Sequence, residues 1–135
     1  KVIFLRNSII YLIIFIVGGL GYGAIEIAFR GYTHWSMLLT GGAAFLSLFL
    51  IHNTFPHSSV FLKAFLGMIV ITLLELSVGL IVNRVFLLGV WDYSNLPYNL
   101  LGQISLPFSA CWYILSIFCL FTCIFGKNVV TLQQN

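Results

Sequence analysis

Phe61–Val82, FLKAFLGMIVITLLELSVGLIV, is the apolar run that indicates the fold most clearly. It is long enough for one membrane-spanning helix, which needs about 20 mostly apolar residues. Apart from Lys63 near its start, its only charged side chain is Glu75, at a depth that hydrocarbon would surround. A carboxylate in hydrocarbon is costly unless it is neutral, paired or facing a wet cavity. The stretch therefore predicts a membrane protein and marks a position where that protein needs polar chemistry.

The composition of the whole chain agrees with this interpretation. Of the 135 residues, 61% are hydrophobic and 7% are charged, whereas soluble domains carry about 25% charged residues. Three more apolar runs extend over about residues 8–29, 35–53 and 104–125. Continuous apolarity of this length favours helices over the short alternating strands of a membrane barrel. We therefore predict one all-α transmembrane domain, an integral membrane four-helix bundle.

The longest connection lies between the third and fourth predicted helices, at residues 85–103, VFLLGVWDYSNLPYNLLGQ. It is too apolar for a solvated loop and too interrupted for a membrane span. Its rings Trp91, Tyr93 and Tyr98 suit the headgroup region, where amphipathic aromatic side chains prefer to lie. We therefore predict an interfacial or partly re-entrant segment.

The basic residues predict the orientation of the bundle. With four spans, one side of the membrane carries four basic residues and the other side carries two; the four are Lys1, Arg6, Lys63 and Lys127, and the two are Arg30 and Arg84. Because cytoplasmic loops carry an excess of Lys and Arg, the pattern predicts a multi-pass protein of the cell membrane with both termini in the cytoplasm. Residues 85–103 would then face outward.

One face of the first predicted helix carries Gly19, Gly23, Glu26 and Arg30. The spacing of the two glycines allows another backbone to approach closely, so this face should pack against a neighbouring helix. Arg30 follows Glu26 by one helical turn and can pair with it. Glu26 is therefore expected within the bundle.

The third predicted helix repeats this arrangement, with Glu75 and Gly79 on one face. Both glutamates precede the same end of the bundle, which the segment containing Asp92 should cover. We therefore predict a ligand or ion site, and Gly19, Gly23 and Gly79 as packing residues; the predicted site residues are Glu26, Arg30, Glu75, Arg84, Asp92, Tyr93 and Asn99. The alternative is that these polar residues only hold the helices together.

Several classes of function find no support in the sequence. The basic residues are scattered, which argues against nucleic-acid binding. His34, His52 and His57 lie in two different connections, so we expect no shared metal site. The Gly-rich run at 18–23 lies inside a predicted span and follows no strand, so we expect no nucleotide loop and no cofactor. The three cysteines of the last apolar run are expected to be packing residues.

Residues 74–111, LELSVGLIVNRVFLLGVWDYSNLPYNLLGQISLPFSAC, resemble a family of small bacterial membrane proteins described as "putative ABC-transporter type IV", or CmpB-like. The resemblance rests on an intramembrane Glu75, the basic Arg84, the motif Trp91–Ser94, and then Asn99 and Gly102. The early stretch from Gly21 to Glu26 is similar to the family as well. The resemblance implies a bacterial inner-membrane protein related to permeases.

Three functional hypotheses follow. The first is a permease-like or transport-associated protein in which Arg30 and Arg84 balance the two glutamates and Asp92 with Tyr93 gates the site. The second is a membrane sensor or accessory subunit that binds a lipid headgroup or a peptide. The third, an enzyme acting on lipid-linked substrates with Glu75 and Asp92 as acid and base, is the weakest. Expected partners are membrane lipids, further copies of the chain or a larger membrane complex, and a separate ATPase subunit.

Overall fold

The computed structural model describes the backbone of residues 2–134 and the side chains of residues 7–124. It contains four long helices, α1 to α4, a π-helical turn that continues α3, and two short antiparallel strands, β1 and β2. Their bounds are α1 Val2–Arg30, α2 Trp35–Thr54, α3 Val60–Gly79, the π turn Leu80–Val85, β1 Asn99–Leu100, β2 Ile104–Ser105 and α4 Leu106–Gln134. The predicted all-α four-helix membrane bundle is confirmed, since each helix includes a segment long and apolar enough to cross a bilayer.

The helices pack in chain order. α1 lies against α2, α2 against α3 and α3 against α4, and α2 also touches α4. α1 and α4 are not packed along each other, so the bundle has one open side between them. Leu48 from α2, Ile71 from α3 and Leu120 from α4 belong to the buried hydrophobic core.

Local sequence explains where the helices begin and end. The ring nitrogen Nδ1 of His34 accepts a hydrogen bond from the Ser36 N–H at 3.2 Å and caps α2. The Ser59 hydroxyl accepts from the Leu62 N–H at 3.1 Å and caps α3. α1 ends before Gly31, whose φ of +82° suits the residue that has no Cβ. These short connections make α1–α2 and α2–α3 antiparallel hairpins.

Residues 86–103, here named the cap segment, cover the end of the bundle at which α1 and α3 finish. We call this the cap end and the opposite end, toward which both termini run, the terminal end. One side chain of the π turn holds the segment in place: Asn83 accepts from the Val90 N–H at 2.6 Å and donates to the Gln103 side chain at 2.8 Å. The Trp91 indole donates to the Gln103 carbonyl at 2.9 Å. The segment is therefore a folded element anchored to α3.

The outer surface of the bundle is apolar, as a surface in contact with lipid must be. Large hydrophobic side chains are exposed along every helix, and among the most exposed are Phe29, Leu20, Phe61, Leu73 and Phe118. Buried positions, in contrast, include ionisable side chains such as Glu26, Lys63 and Glu75. Because hydrocarbon offers no hydrogen bonds, the polar groups are placed inside the bundle, where protein groups can reach them.

Glycines allow α1 and α2 to approach closely. A Cβ added to Gly19 would lie 2.7 Å from the Leu38 carbonyl oxygen, and one added to Gly23 would lie 2.5 Å from the Leu38 side chain. Gly79 faces the cap segment, where an added Cβ would lie 2.6 Å from the Gln103 amide oxygen. Gly21, between the two helix-contacting glycines of α1, has no atom within 4 Å of such a Cβ.

This contrast makes a matched pair of substitutions informative. Gly19→Ala should lower the free energy of unfolding by about 1–3 kcal/mol, because the clash is with a backbone carbonyl that cannot move alone. Gly21→Ala should raise it by up to about 1 kcal/mol, because alanine is the better helix former. Thermal unfolding of the two purified variants in the same detergent measures both effects. Equal stabilities would contradict the close approach of α1 to α2.

Candidate functional site

Glu75 lies near the middle of the cap-end half of α3 and is 1% exposed. Its Oε2 accepts two hydrogen bonds, one from the Trp112 indole N–H of α4 at 3.1 Å and one from the Tyr93 hydroxyl of the cap segment at 3.4 Å. No described residue donates a hydrogen bond to its other oxygen, Oε1. The carboxyl group therefore joins three elements and keeps one acceptor unused.

Glu26 lies on α1 and is 6% exposed. Its Oε1 lies 3.1 Å from Nη2 of Arg30, an ion pair across one helical turn. The pair lacks the alignment of a hydrogen bond, and within the described part of the chain neither oxygen accepts one. Arg30 also reaches the Val90 carbonyl of the cap segment at 3.4 Å and lies over the Tyr32 ring. Glu26 therefore has a charge partner and leaves its acceptor sites open.

Two aromatic stacks hold the walls around these carboxyl groups. Tyr22 of α1 stacks on Trp112 of α4 with 5.3 Å between the ring centroids, so the two helices touch through these rings at the open side of the bundle. Tyr93 of the cap segment stacks on Phe108 of α4 at 4.6 Å and nearly parallel. Burial raises the pKa of the Tyr93 phenol, and the nearby Glu75 charge raises it further. Tyr93 therefore stays a neutral hydrogen-bond donor toward Glu75.

A cavity of about 450 Å³ lies between α1, α4 and the cap segment, within the range of small-molecule sites. Four of its lining residues carry a charge or a hydroxyl group, namely Tyr22, Glu26, Arg30 and Tyr93, and the others are apolar or aromatic. The full lining is Tyr22, Ile25, Glu26, Phe29, Arg30, Met37, Tyr93, Phe108, Cys111, Trp112 and Leu115. Glu75 lies behind this wall, bonded to two of the lining residues.

A second cavity of about 190 Å³ adjoins the first on the side toward the terminal end. The two share Tyr22, Ile25, Trp112 and Leu115. Its only other polar side chain is Ser116, whose buried hydroxyl has no hydrogen-bond partner among the described residues. The two adjoining cavities are here called the groove between α1 and α4; the first is polar near the cap end, and the second is apolar, lies deeper in the bundle and also touches α2 and α3.

The structure places three of the predicted site residues in the cap segment or at its base, away from the cavity lining. Arg84 donates to the Leu101 carbonyl at 2.7 Å instead of facing a glutamate. Asp92 is exposed and accepts hydrogen bonds from the backbone N–H and the hydroxyl of Ser94. Asn99 donates to the Leu96 carbonyl at 2.9 Å. The structure thus brings Glu26, Arg30, Glu75 and Tyr93 together and leaves Arg84, Asp92 and Asn99 as groups that fold the cap segment.

These positions bear on the hypotheses drawn from the sequence. A reaction that used Glu75 and Asp92 as acid and base would need both to reach one substrate, and Asp92 is not among the residues that line the cavity. Arg84 is likewise occupied by a backbone carbonyl, so the charge opposite the glutamates comes from Arg30. Within residues 7–124 no group of three or more His, Cys, Asp or Glu side chains could hold a metal ion.

Residues 29–131 match the family described as "putative ABC-transporter type IV". The chain belongs to this family. The resemblance seen in residues 74–111 is therefore confirmed, and the ABC-transporter-related family description fits the four apolar helices. The match begins after Glu26, so that residue of the site lies outside the part of the chain the family covers. No match was found among curated proteins or among solved structures.

Two buried polar contacts were not predicted from the sequence. Trp112 supplies the shorter hydrogen bond to Glu75; the signal was a tryptophan inside an apolar run, whose N–H needs a buried partner. At the terminal end, Lys63 is 2% exposed and its Nζ lies 2.9 Å from Nδ1 of the buried His52. The signal there was the short turn at Pro56, which lies four residues after His52 and seven residues before Lys63 and so places both at the same end of the hairpin.

The hydrogen bond between Trp112 and Glu75 can be tested by removing its donor. Trp112→Phe should lower the free energy of unfolding by about 1–3 kcal/mol, since it takes a hydrogen bond from a buried carboxyl group. In a cycle with Glu75→Gln, the double variant should lose less than the sum of the single variants. Trp35→Phe, at an exposed tryptophan, is the control. Additive losses in thermal unfolding would show that the two side chains do not interact.

The Asp92 contacts predict how the cap segment responds to acid. The hydroxyl and backbone hydrogen bonds from Ser94 hold the pKa of Asp92 below its ordinary value. A lowered pKa means that the ionised carboxylate stabilises the fold above the unfolded pKa of about 3.9, and that this contribution is lost as the pH falls through the folded pKa. Ser94→Ala should raise the pKa of Asp92 toward its ordinary value, which a carboxyl-carbon NMR titration measures. An unchanged titration would contradict the role of Ser94.

Proposed function

We propose that this chain is a transport-associated, permease-like membrane protein that binds its ligand in the cap-end cavity. Glu26, Arg30 and Tyr93 contact the ligand, and Glu75 lies behind Tyr93 and Trp112. The observation that carries the proposal is a buried carboxyl group on the cavity wall whose oxygens accept no hydrogen bond from the described protein. Such a group needs a donor, and the cavity leaves room for one.

The energetic cost supports a functional role over a purely structural one. An ionisable side chain inside a membrane costs about 2.5–3.5 kcal/mol or more, and such residues usually mark substrate or ion pathways. A packing role would be served better by groups whose hydrogen bonds are all made. Glu26 and Glu75 each keep an oxygen unused in the described structure, which is the pattern expected of groups that meet a ligand.

Arg84, Asp92 and Asn99 have a supporting role in this proposal. Their hydrogen bonds are made within the cap segment or to it, and they fold the loop that carries Tyr93. Because Tyr93 stacks on Phe108 and reaches Glu75, the shape of the cap segment sets the position of one cavity wall. Tyr93 is then the residue that gates the site.

Further components are part of the proposal. Where ATP hydrolysis drives transport, we assign it to a separate ATPase subunit, in keeping with the family description. The open side between α1 and α4 is a surface where lipid, another copy of the chain or a larger membrane complex can lie. The orientation proposed from the basic residues, with the termini in the cytoplasm, directs the cap end outward.

One observation favours a sensor or accessory subunit as the second candidate. Asn83 ties the cap segment to the end of α3 through both the oxygen and the nitrogen of its side-chain amide. Tyr93 of the same segment reaches the cavity. A lipid headgroup or peptide that touches Tyr93 would therefore act on α3 without passing through the membrane. Transport and sensing are separated by whether a bound ligand crosses the bilayer.

Flux through proteoliposomes that hold the purified full chain tests the proposal. We expect Glu26→Gln to reduce flux of the transported ion or solute at least tenfold, because the variant removes the charge on the cavity wall. Thr54→Val, which removes an exposed hydroxyl group at the terminal end of α2, is the control and should keep the flux. The panel consists of protons, sodium, potassium, chloride and organic solutes of either charge.

The same purified protein also provides the results that would contradict the proposal. Cys111 is exposed and lines the cavity, so a bound solute should slow its alkylation by a maleimide. Protection of Cys111 without flux of any solute would favour the sensor. Neither flux nor protection, in a protein that unfolds at its normal temperature, would contradict a ligand site in this cavity.

A further inference from the structure

We propose that the ligand is a lipophilic organic cation, one positive charge carried on an apolar body. This inference rests on the proposed ligand site and names its chemical class. It is drawn from the charges, the rings and the apolar extension of the groove between α1 and α4.

The charge balance of the cavity favours a monovalent cation. Two carboxyl groups, Glu26 on the wall and Glu75 behind it, face one guanidinium group, that of Arg30. Glu75 accepts two hydrogen bonds at one oxygen, and its other oxygen has no hydrogen-bond partner among the described residues. With both carboxyl groups ionised, the local sum is one negative charge, which a single cation neutralises.

The rings of the cavity point to the same class of ligand. Five of the lining side chains are aromatic, and these are Tyr22, Phe29, Tyr93, Phe108 and Trp112. The faces of Trp, Tyr and Phe rings attract cations, and cages of such rings are the usual site for quaternary ammonium groups. An anion would meet two carboxylates and the negative faces of these rings, so the cavity selects against it.

The apolar part of the ligand follows from the shape of the groove. The second cavity adjoins the first at Trp112 and Leu115 and is lined almost entirely by apolar side chains. Exposed Ile25 and Phe29 on α1 face exposed Phe108 on α4 across the mouth of the groove, so a hydrophobic body can enter from the bilayer. A small inorganic cation would leave most of this surface uncovered.

Arg30 does not exclude a cation from the site. Its guanidinium lies 3.1 Å from Glu26, its side chain is 34% exposed, and it also contacts the Val90 carbonyl. Oε2 of Glu26 is left for the ligand. The carboxylate therefore holds Arg30 on one side and offers its second oxygen to the cavity.

Equilibrium binding of a charge-matched pair of probes tests the proposal. Tetraphenylphosphonium and tetraphenylborate have the same shape and opposite charge, and both are added to the purified full chain in an uncharged detergent. We expect tetraphenylphosphonium to bind at least tenfold more tightly than tetraphenylborate. Tetramethylammonium, which carries the charge without the apolar body, should bind at least tenfold more weakly than tetraphenylphosphonium. Equal binding of the two tetraphenyl ions by the unaltered chain would overturn the proposal.

Two acids of the site and one residue at the opposite end of the bundle provide the variants. Glu26→Gln and Glu75→Gln should each weaken tetraphenylphosphonium binding about tenfold, the effect of losing one charge-assisted contact. Thr54→Val, at an exposed residue of the terminal end of α2, should stay within twofold of the unaltered chain. Thermal unfolding identifies any variant that fails to fold. Equal weakening by all three substitutions would contradict a site at the cavity.

The outcomes separate this inference from the proposed function. Glu26-dependent flux of another solute, with no tetraphenylphosphonium binding, would overturn the cation and leave the transport proposal standing. Glu26-dependent cation binding, with flux that is unchanged in Glu26→Gln, would support the cation site and contradict transport through it.

Discussion

The carboxyl group of Glu75 is the buried contact that joins the walls of the cap-end cavity. One of its oxygens accepts from the indole of Trp112 and from the hydroxyl of Tyr93, so a single buried group joins α3, α4 and the cap segment. Each of these donors also stacks on another ring, Tyr22 or Phe108. The walls of the cavity are therefore placed by one electrostatic centre and the aromatic pairs around it. A buried carboxylate costs least where every neighbouring donor points toward it.

The buried polar groups of this bundle fall into two kinds. Asn83 and Gln103 make several hydrogen bonds each and hold the cap segment to α3. Glu26 and Glu75 keep oxygens that no described residue reaches. In a medium without water, the first kind stabilises a fold. The second kind raises the free energy of the fold unless a ligand supplies the missing hydrogen bonds. In the proposed function, the residues whose hydrogen bonds are made support the fold, and the residues with unused oxygens contact the ligand.

The sequence predicted the elements better than it predicted the contacts of the loops. Apolar run length gives four helices because the thickness of a bilayer is fixed, and spacing along a helix gives the Glu26–Arg30 pair because residues four apart share a face. Nothing comparable governs residues 86–103, so the partners of Arg84, Asp92 and Asn99 depend on turns that periodicity does not describe. The Lys63–His52 contact was missed because Lys63 was used only to predict the orientation and His52 was placed in a connection, while the hairpin of α2 and α3 buries them against each other.

The open side between α1 and α4 determines how a ligand meets the protein. A hydrophobic ligand that enters there comes from the lipid phase, so its partition coefficient enters every apparent affinity. The number of molecules per lipid, and not per litre of buffer, then sets the occupancy of the groove. Two membranes that face the same aqueous solution but differ in surface charge would load this protein to different extents, since an anionic leaflet concentrates cations near itself. The lateral opening thus makes the composition of the surrounding bilayer part of the binding equilibrium.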